Sequence, residues 1–110
     1  MEIKGIPFCT TDWERVERVE HRGETGTSFW KTFQQGNIRV RMVEYSPGYR
    51  ADHWCGRGHV LLVLEGLLVC LLRDGNRHRL SAGMSFQAQD DDANPHLAFT
   101  ETGAKVFIID

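Results

Sequence analysis

Residues 59–80 read HVLLVLEGLLVCLLRDGNRHRL, and this stretch decides the fold class. His59 to Leu64 is a short apolar run closed by Gly66, and Leu67 to Leu72 is a second one. Neither is long enough for an ordinary helix, and both are rich in residues that suit a pleated surface. Asp74-Gly75-Asn76 is a hairpin cue, because these residues tolerate the backbone angles of a tight turn. Arg77 to Leu80 then reads as the return strand. Leu67 to Leu72 is apolar at both parities, Val69 and Cys70 included, so both of its faces should be covered. The outer cover is either a partner subunit or the N-terminal segment.

The same grammar runs outward in both directions. Ser28 to Gln34 is a strand candidate, closed by Gly36-Asn37. Ile38, Val40 and Met42 alternate with Arg39 and Arg41, the period of a half-buried strand. Ser46-Pro47-Gly48 turns the chain. Beyond the hairpin, Ser81-Ala82-Gly83 leads into Met84 to Gln87, and His96 to Thr100 and Lys105 to Ile109 are joined across Thr102-Gly103. A helix is expected only near the start, where Thr11 or Asp12 could cap a turn through Trp13 and Arg15. Many short strands at near-even spacing predict an all-β, antiparallel sandwich or barrel.

The chain's 110 residues suit one domain, 1–110, with ordinary globular proportions of 41% hydrophobic and 25% charged residues. A formal net charge of −2 and the lack of a basic cluster argue against nucleic acid as a partner. No apolar run approaches membrane-spanning length, and Met1 to Pro7 has no apolar leader core. Three cysteines, Cys9, Cys55 and Cys70, read as reduced thiols of a cytoplasmic protein. Cys9 and Cys70 are expected to be packing residues.

The chemistry-bearing residues cluster just before the central run. His53 and Cys55 are two residues apart, which on a strand places both side chains on one face. Gly56-Arg57-Gly58 makes a bend, after which His59 returns to the same side, and His96 opens a later strand after Pro95. Imidazole and thiolate are the usual donors to zinc and iron. Taken singly, each is more often a hydrogen-bonded histidine or a buried thiol; the joint spacing raises the group. His21 and His78 gain no such support, and His78, among arginines, is expected to be solvated. A Cys55–His59 nucleophile pair lacks an orienting third group. Asp90, Asp91 and Asp92 lack calcium-loop spacing and read as a solvated acidic loop. No phosphate-cradling glycine motif is present.

Gly48 to His59, followed by Gly66, resembles the first motif of the cupin superfamily: a glycine, His-x-His, then Glu and a closing glycine. Gly83 through His96 to Thr100 resembles the second motif, in which a glycine opens a strand and a later histidine supplies the last ligand. The Asp52-His53-Trp54-Cys55 string is similar to the subgroup of DHCW-motif cupin-fold proteins. The resemblance spans nearly the whole chain. It implies a double-stranded β-helix, or jelly roll, with a metal site at His53, Cys55, His59 and His96. Cys55 stands where the second His is expected and His59 where Glu is expected. Three imidazoles and one thiolate would still carry a single negative charge, as three imidazoles and a carboxylate do. The softer thiolate favours zinc or iron.

What the resemblance implies for function is a metal-binding barrel that takes a small-molecule ligand in an interior lined by residues such as Met42, Leu61, Val63 and Phe86. Two classes follow: an enzyme of dioxygenase or isomerase type, or a non-enzymatic barrel for sensing, storage or structural metal. A homodimer is expected, through edge strands or the outer face of Leu67 to Leu72.

Overall fold

A computed structural model describes residues 2–110. One 3-10 turn, Trp13–Arg15, precedes eight strands, and Asp12 caps it by accepting the Glu14 N–H at 3.2 Å. The strands are β1 (Val19–Arg22), β2 (Thr27–Gln35), β3 (Ile38–Tyr45), β4 (His59–Leu72), β5 (Arg77–Ser81), β6 (Ser85–Ala88), β7 (His96–Phe99) and β8 (Ala104–Ile109). All pairings are antiparallel. The fold is the expected jelly-roll barrel.

β4 is the organising strand. Its first half pairs with β8 and β6, and its second half with β5 and β7. The sheet β1-β2-β3-β8 continues through β4. The two apolar runs on either side of Gly66 are therefore one strand, not two. Gly66 adopts φ +80°, and the ladder to β8 shifts register between Val63 and Glu65. This irregularity flips the parity: Leu61 and Val63 point inward before it, Leu68 and Cys70 after it. One long strand thus serves both walls of the barrel, with a bulge at its corner.

The core joins Val43 of β3, Leu61, Val63, Leu68 and Cys70 of β4, Leu80 of β5, and Val106 and Ile108 of β8. Val63, Leu68 and Val106 are fully excluded from solvent. Each such side chain contributes on the order of 1.5–3 kcal/mol.

Three expectations need correction. First, the alternation in β3 is real but its face is inverted. Arg41 is 6% exposed and shares its parity with core Val43, whereas Met42 faces an outer groove with Trp13 and Phe29. The reason is a partner unseen in local sequence, the buried carboxylate described below. Second, Cys9 is exposed, although Cys70 is buried as anticipated. Third, β1 is an additional strand: its four residues are all exposed, so no apolar alternation announces it.

The outer face of Leu67 to Leu72 is partly covered within the chain, and Leu67 and Val69 line a groove of about 270 Å³ there with Arg77, Arg79 and Phe99. Val69 is 7% exposed, flanked by Arg79 and Phe99 on its neighbouring strands. Arg50 and Arg77 lie over the Phe99 ring at 5.6 and 5.8 Å. Arginine stems and guanidinium planes do the shielding.

Candidate metal centre and its arginine wall

The site is a cavity of about 330 Å³ between the two walls of the barrel. Its lining includes His53, Cys55, His59 and His96, so the four residues singled out from sequence border one space. Leu61 and Phe86 line it as expected, while Met42 does not: it lies on the outer groove. Val63 is packed into the core instead.

His59 is the first residue of β4 and His96 the first of β7. Their rings meet edge-on, 4.7 Å between centroids, and Phe86 packs against both at 5.5 Å. Burial first, then the neighbouring His96, pushes the His59 pKa down to about 4; burial lowers His96 too. Both imidazoles are therefore neutral near pH 7, the form that donates a lone pair to a metal. Nδ1 of His59 is buried without a hydrogen-bond partner.

Cys55 reaches the site from the loop before β4. Its N–H donates to the His96 carbonyl at 2.8 Å and the His96 N–H donates back at 2.9 Å, so this bridge ties the two donor residues' backbones together. Residues 51–58 do not form the strand that the His53–Cys55 spacing suggested. The His53 side chain is 76% exposed, and its Nδ1 lies 2.7 Å from Asp52 Oδ1. Among the described residues, no group of three or more His, Cys, Asp or Glu side chains stands close enough to hold one ion. Cys55, His59 and His96 line the wall without converging on one point, and the exposed His53 sits at the mouth.

The acidic loop has a structural task beyond solvation. Asp90 Oδ1 accepts the Gly58 N–H at 2.6 Å, and the Asp91 N–H donates to the Gly56 carbonyl at 2.8 Å. A Cβ on Gly56 would run into the Asp92 carboxylate, and one on Gly58 would lie 2.5 Å from the Ala88 carbonyl oxygen. The glycines let the acidic loop clamp the loop that carries Cys55.

Sequence reasoning missed Asp110, which follows β8 and completes the cavity. Its side chain is 1% exposed. Arg39 donates to it from Nε and Nη2 at 2.9 and 2.7 Å, and Arg41 donates from Nη2 at 3.1 Å. Arg57 Nε and His59 Nδ1 lie 3.6 and 3.7 Å from the same Oδ2. Burial works to raise the Asp110 pKa, but the Arg39 hydrogen bond and the charges of Arg41, Arg39 and Arg57 outweigh it and hold the carboxyl below its ordinary value. Arg41 is stacked over Trp30, 4.4 Å from the ring centroid, and its Nε is buried without a partner.

Solved structures resembling this one share its strand arrangement. A cupin-superfamily sugar phosphate isomerase from Silicibacter pomeroyi superposes with a TM-score of 0.73 at 18% identity, covering 92% of this chain and 74% of that one. The chain has the cupin fold. An RmlC-like cupin from Shewanella frigidimarina gives a TM-score of 0.72 at 20% identity, over 90% of this chain and 86% of its own. A predicted oxalate decarboxylase from Thermotoga maritima gives 0.74 at 11% identity, over 92% and 96%. No protein-family model and no curated protein matches the sequence. At these identities the likeness establishes the cupin barrel, and the activity has to be argued from the residues.

Proposed function

We propose that this cupin binds one zinc or iron ion through His59, His96, Cys55 and His53, and uses the adjoining cavity to take a small organic molecule. The observation that carries the reading is the pair of buried, neutral imidazoles at the cavity wall, one with an unpartnered ring nitrogen, with Cys55 bridged to His96. The donor chemistry fits a borderline-soft cation. No three of these donors stand close enough to share one ion, so binding requires the Cys55 loop to close on the two imidazoles and His53 to leave Asp52 and turn inward from the mouth. When bound, the ion would supply Lewis-acid chemistry, or redox chemistry if it is iron, to a ligand in the cavity. The chain's own contribution is to keep the imidazoles neutral and to hold the Cys55 loop through Asp90 and Asp91.

The cupin neighbours include enzymes, among them Fe(II)-HppE with an alternative substrate and ectoine synthase from P. lautus. Four protein donors around zinc fill a tetrahedral shell, which suits a storage, sensing or structural role; iron with the same donors keeps positions for a ligand. Metal identity therefore separates the enzymatic from the non-enzymatic reading. The protein is taken to be cytoplasmic, its three cysteines free; no helix among the described residues is long and apolar enough to cross a membrane.

Elemental analysis of freshly purified protein, followed by zinc and iron titration of the chelator-treated protein, tests the proposal. About one equivalent should bind. Cys55→Ser should weaken binding far more than Cys9→Ser or Cys70→Ser, because Cys55 alone among the three lines the cavity. Equal effects of the three substitutions would rule out a thiolate donor at Cys55, and no uptake by the wild type would reject the metal reading.

A further inference from the structure

The wall beside His59 gathers three guanidiniums around a single side-chain carboxylate. Arg39, Arg41 and Arg57 all converge on Oδ2 of Asp110. Asp110 is the only acidic residue among the described residues that line the cavity, so three guanidiniums face one carboxylate. If the thiolate and metal of the proposed centre are also present, their sum is again positive. Arg57 and Arg39, at 54% and 21% exposure, are partly solvated, so the unmet demand falls on Arg41, which is only 7% exposed.

Geometry shows where that partner would sit. Arg39 presents its Nε and Nη2 edge to both oxygens of Asp110, the fork arrangement that suits a planar carboxylate. Arg41 uses only Nη2 on Asp110, and its Nε on the same edge is left without a partner in a side chain only 7% exposed. Trp30 holds the plane of that guanidinium by stacking. Beside it, Leu61 and Phe86 give the cavity an apolar patch, and its volume falls at the lower end of small-molecule sites.

The geometry points to a carboxylate-binding subsite: Arg41, assisted by Arg57 and Arg39, receives the carboxylate of a small organic acid whose apolar body lies against Phe86 and Leu61. Asp110 acts as the resident counter-ion, pre-orienting the guanidiniums and competing with the ligand for them. A carboxylate is favoured over a phosphate because the Arg41 edge, with Nε unpartnered and Nη2 shared with Asp110, is the same single fork that grips a carboxylate at Arg39. The inference names the ligand class of the cavity and does not require the metal.

Calorimetric titration of chelator-treated and zinc-loaded protein tests it, with benzoate, its neutral isostere benzamide, succinate and inorganic phosphate as probes. Benzoate should bind both forms, and benzamide should bind about tenfold more weakly or not at all, since it lacks the charge. Arg41→Met should lose about tenfold or more in benzoate affinity with an unchanged circular dichroism spectrum. Should Arg41→Met fail to fold, Arg57→Gln and Asp110→Asn carry the test. Arg57 is 54% exposed and tolerates change; Arg57→Gln should weaken benzoate severalfold, and Asp110→Asn should strengthen it. Equal binding of benzoate and benzamide overturns the inference, as does tighter binding of phosphate than of any carboxylate. Benzoate binding that needs zinc and ignores Arg41→Met and Arg57→Gln overturns it as well, because the acid would then sit on the metal. Zinc uptake without carboxylate binding sinks this inference and leaves the metal centre standing. Carboxylate binding without zinc uptake does the reverse.

Discussion

Replacing Asp110 by alanine removes the only acidic side chain among the described residues of the cavity lining, and the cost can be worked from the contacts. The carboxylate is 1% exposed and accepts three guanidinium hydrogen bonds of 2.7 to 3.1 Å. Breaking a buried pair by deleting one partner costs roughly 3–5 kcal/mol, because the other charge is stranded. Arg39 and Arg57, at 21% and 54% exposure, reach water and recover part of their solvation; Arg41, at 7%, does not. The expected loss is therefore near the low end, about 3 kcal/mol, equivalent to roughly 10 °C or more in Tm for a domain of this size. Urea denaturation followed by tryptophan fluorescence measures it. The double variant Arg41→Met/Asp110→Ala should lose less than the sum of its parts, since the stranded cation is gone. Formate added to Asp110→Ala should restore stability in proportion to occupancy, up to about 2.7 kcal/mol at a hundredfold excess over its Kd. A loss below about 1 kcal/mol, the range of solvent-exposed ion pairs, would refute the account of a buried charge cluster.

Four further outcomes are expected. In native protein, a disulfide reagent should label exposed Cys9 first and Cys70 last, since burial raises the Cys70 thiol to about 11; zinc should protect Cys55 alone. Labelling of Cys70 as fast as Cys9 would contradict the packing. Gly66→Ala should destabilise by at least about 1–2 kcal/mol, because the residue holds φ +80° and its Cβ would clash with the Gly103 carbonyl; an unchanged urea midpoint would show that the corner of β4 bends some other way. Asp90→Ala should lower zinc affinity roughly tenfold or more without touching a donor, by releasing the Gly58 N–H and loosening the Cys55 loop; affinity equal to wild type would limit the loop to a passive role. Sedimentation at micromolar concentration should show a homodimer, through edge strands or the outer face of Leu67 to Leu72, where Leu67, Val69 and Phe99 line a groove; a monomer only would exclude the dimer, and a dimer unaffected by Leu67→Asp would exclude that face.

Strand positions were legible because period-2 apolarity and turn residues are local signals, and the barrel is built from little else. β1 escaped because Val19 to Arg22 bury nothing and are held by pairing to β2 alone. The four residues that spacing singled out, His53, Cys55, His59 and His96, border one cavity, but no three of their side chains stand close enough to share an ion. The spacing argument for His53 and Cys55 used the wrong backbone, however: they lie on a loop held by Asp90 and by the Cys55–His96 bridge.

The face of β3 shows most clearly what local pattern leaves open. Alternation established that Arg39 and Arg41 lie opposite Val40 and Met42, but which set turns inward depends on what meets it. Arg41 lies 69 residues from the carboxylate that makes its burial tolerable. A signal did exist. On β8, Val106 and Ile108 point into the core, and one more step at that parity lands on Asp110. On β3, Val43 shares its parity with Arg41 and Arg39. Continuing both inward registers past their apolar residues places a carboxylate and two guanidiniums on the inner face of paired antiparallel strands, with Asp110 and Arg39 exchanging backbone hydrogen bonds at 2.9 and 2.7 Å. Charges at inward positions are costly alone and tolerable together. When an inward register runs onto a charge, the physical question is which other inward register supplies its opposite. Here two guanidiniums meet one side-chain carboxylate and one positive charge is left over, and that surplus, set beside a histidine and cysteine cluster, is the ground for proposing an anionic ligand in the cavity.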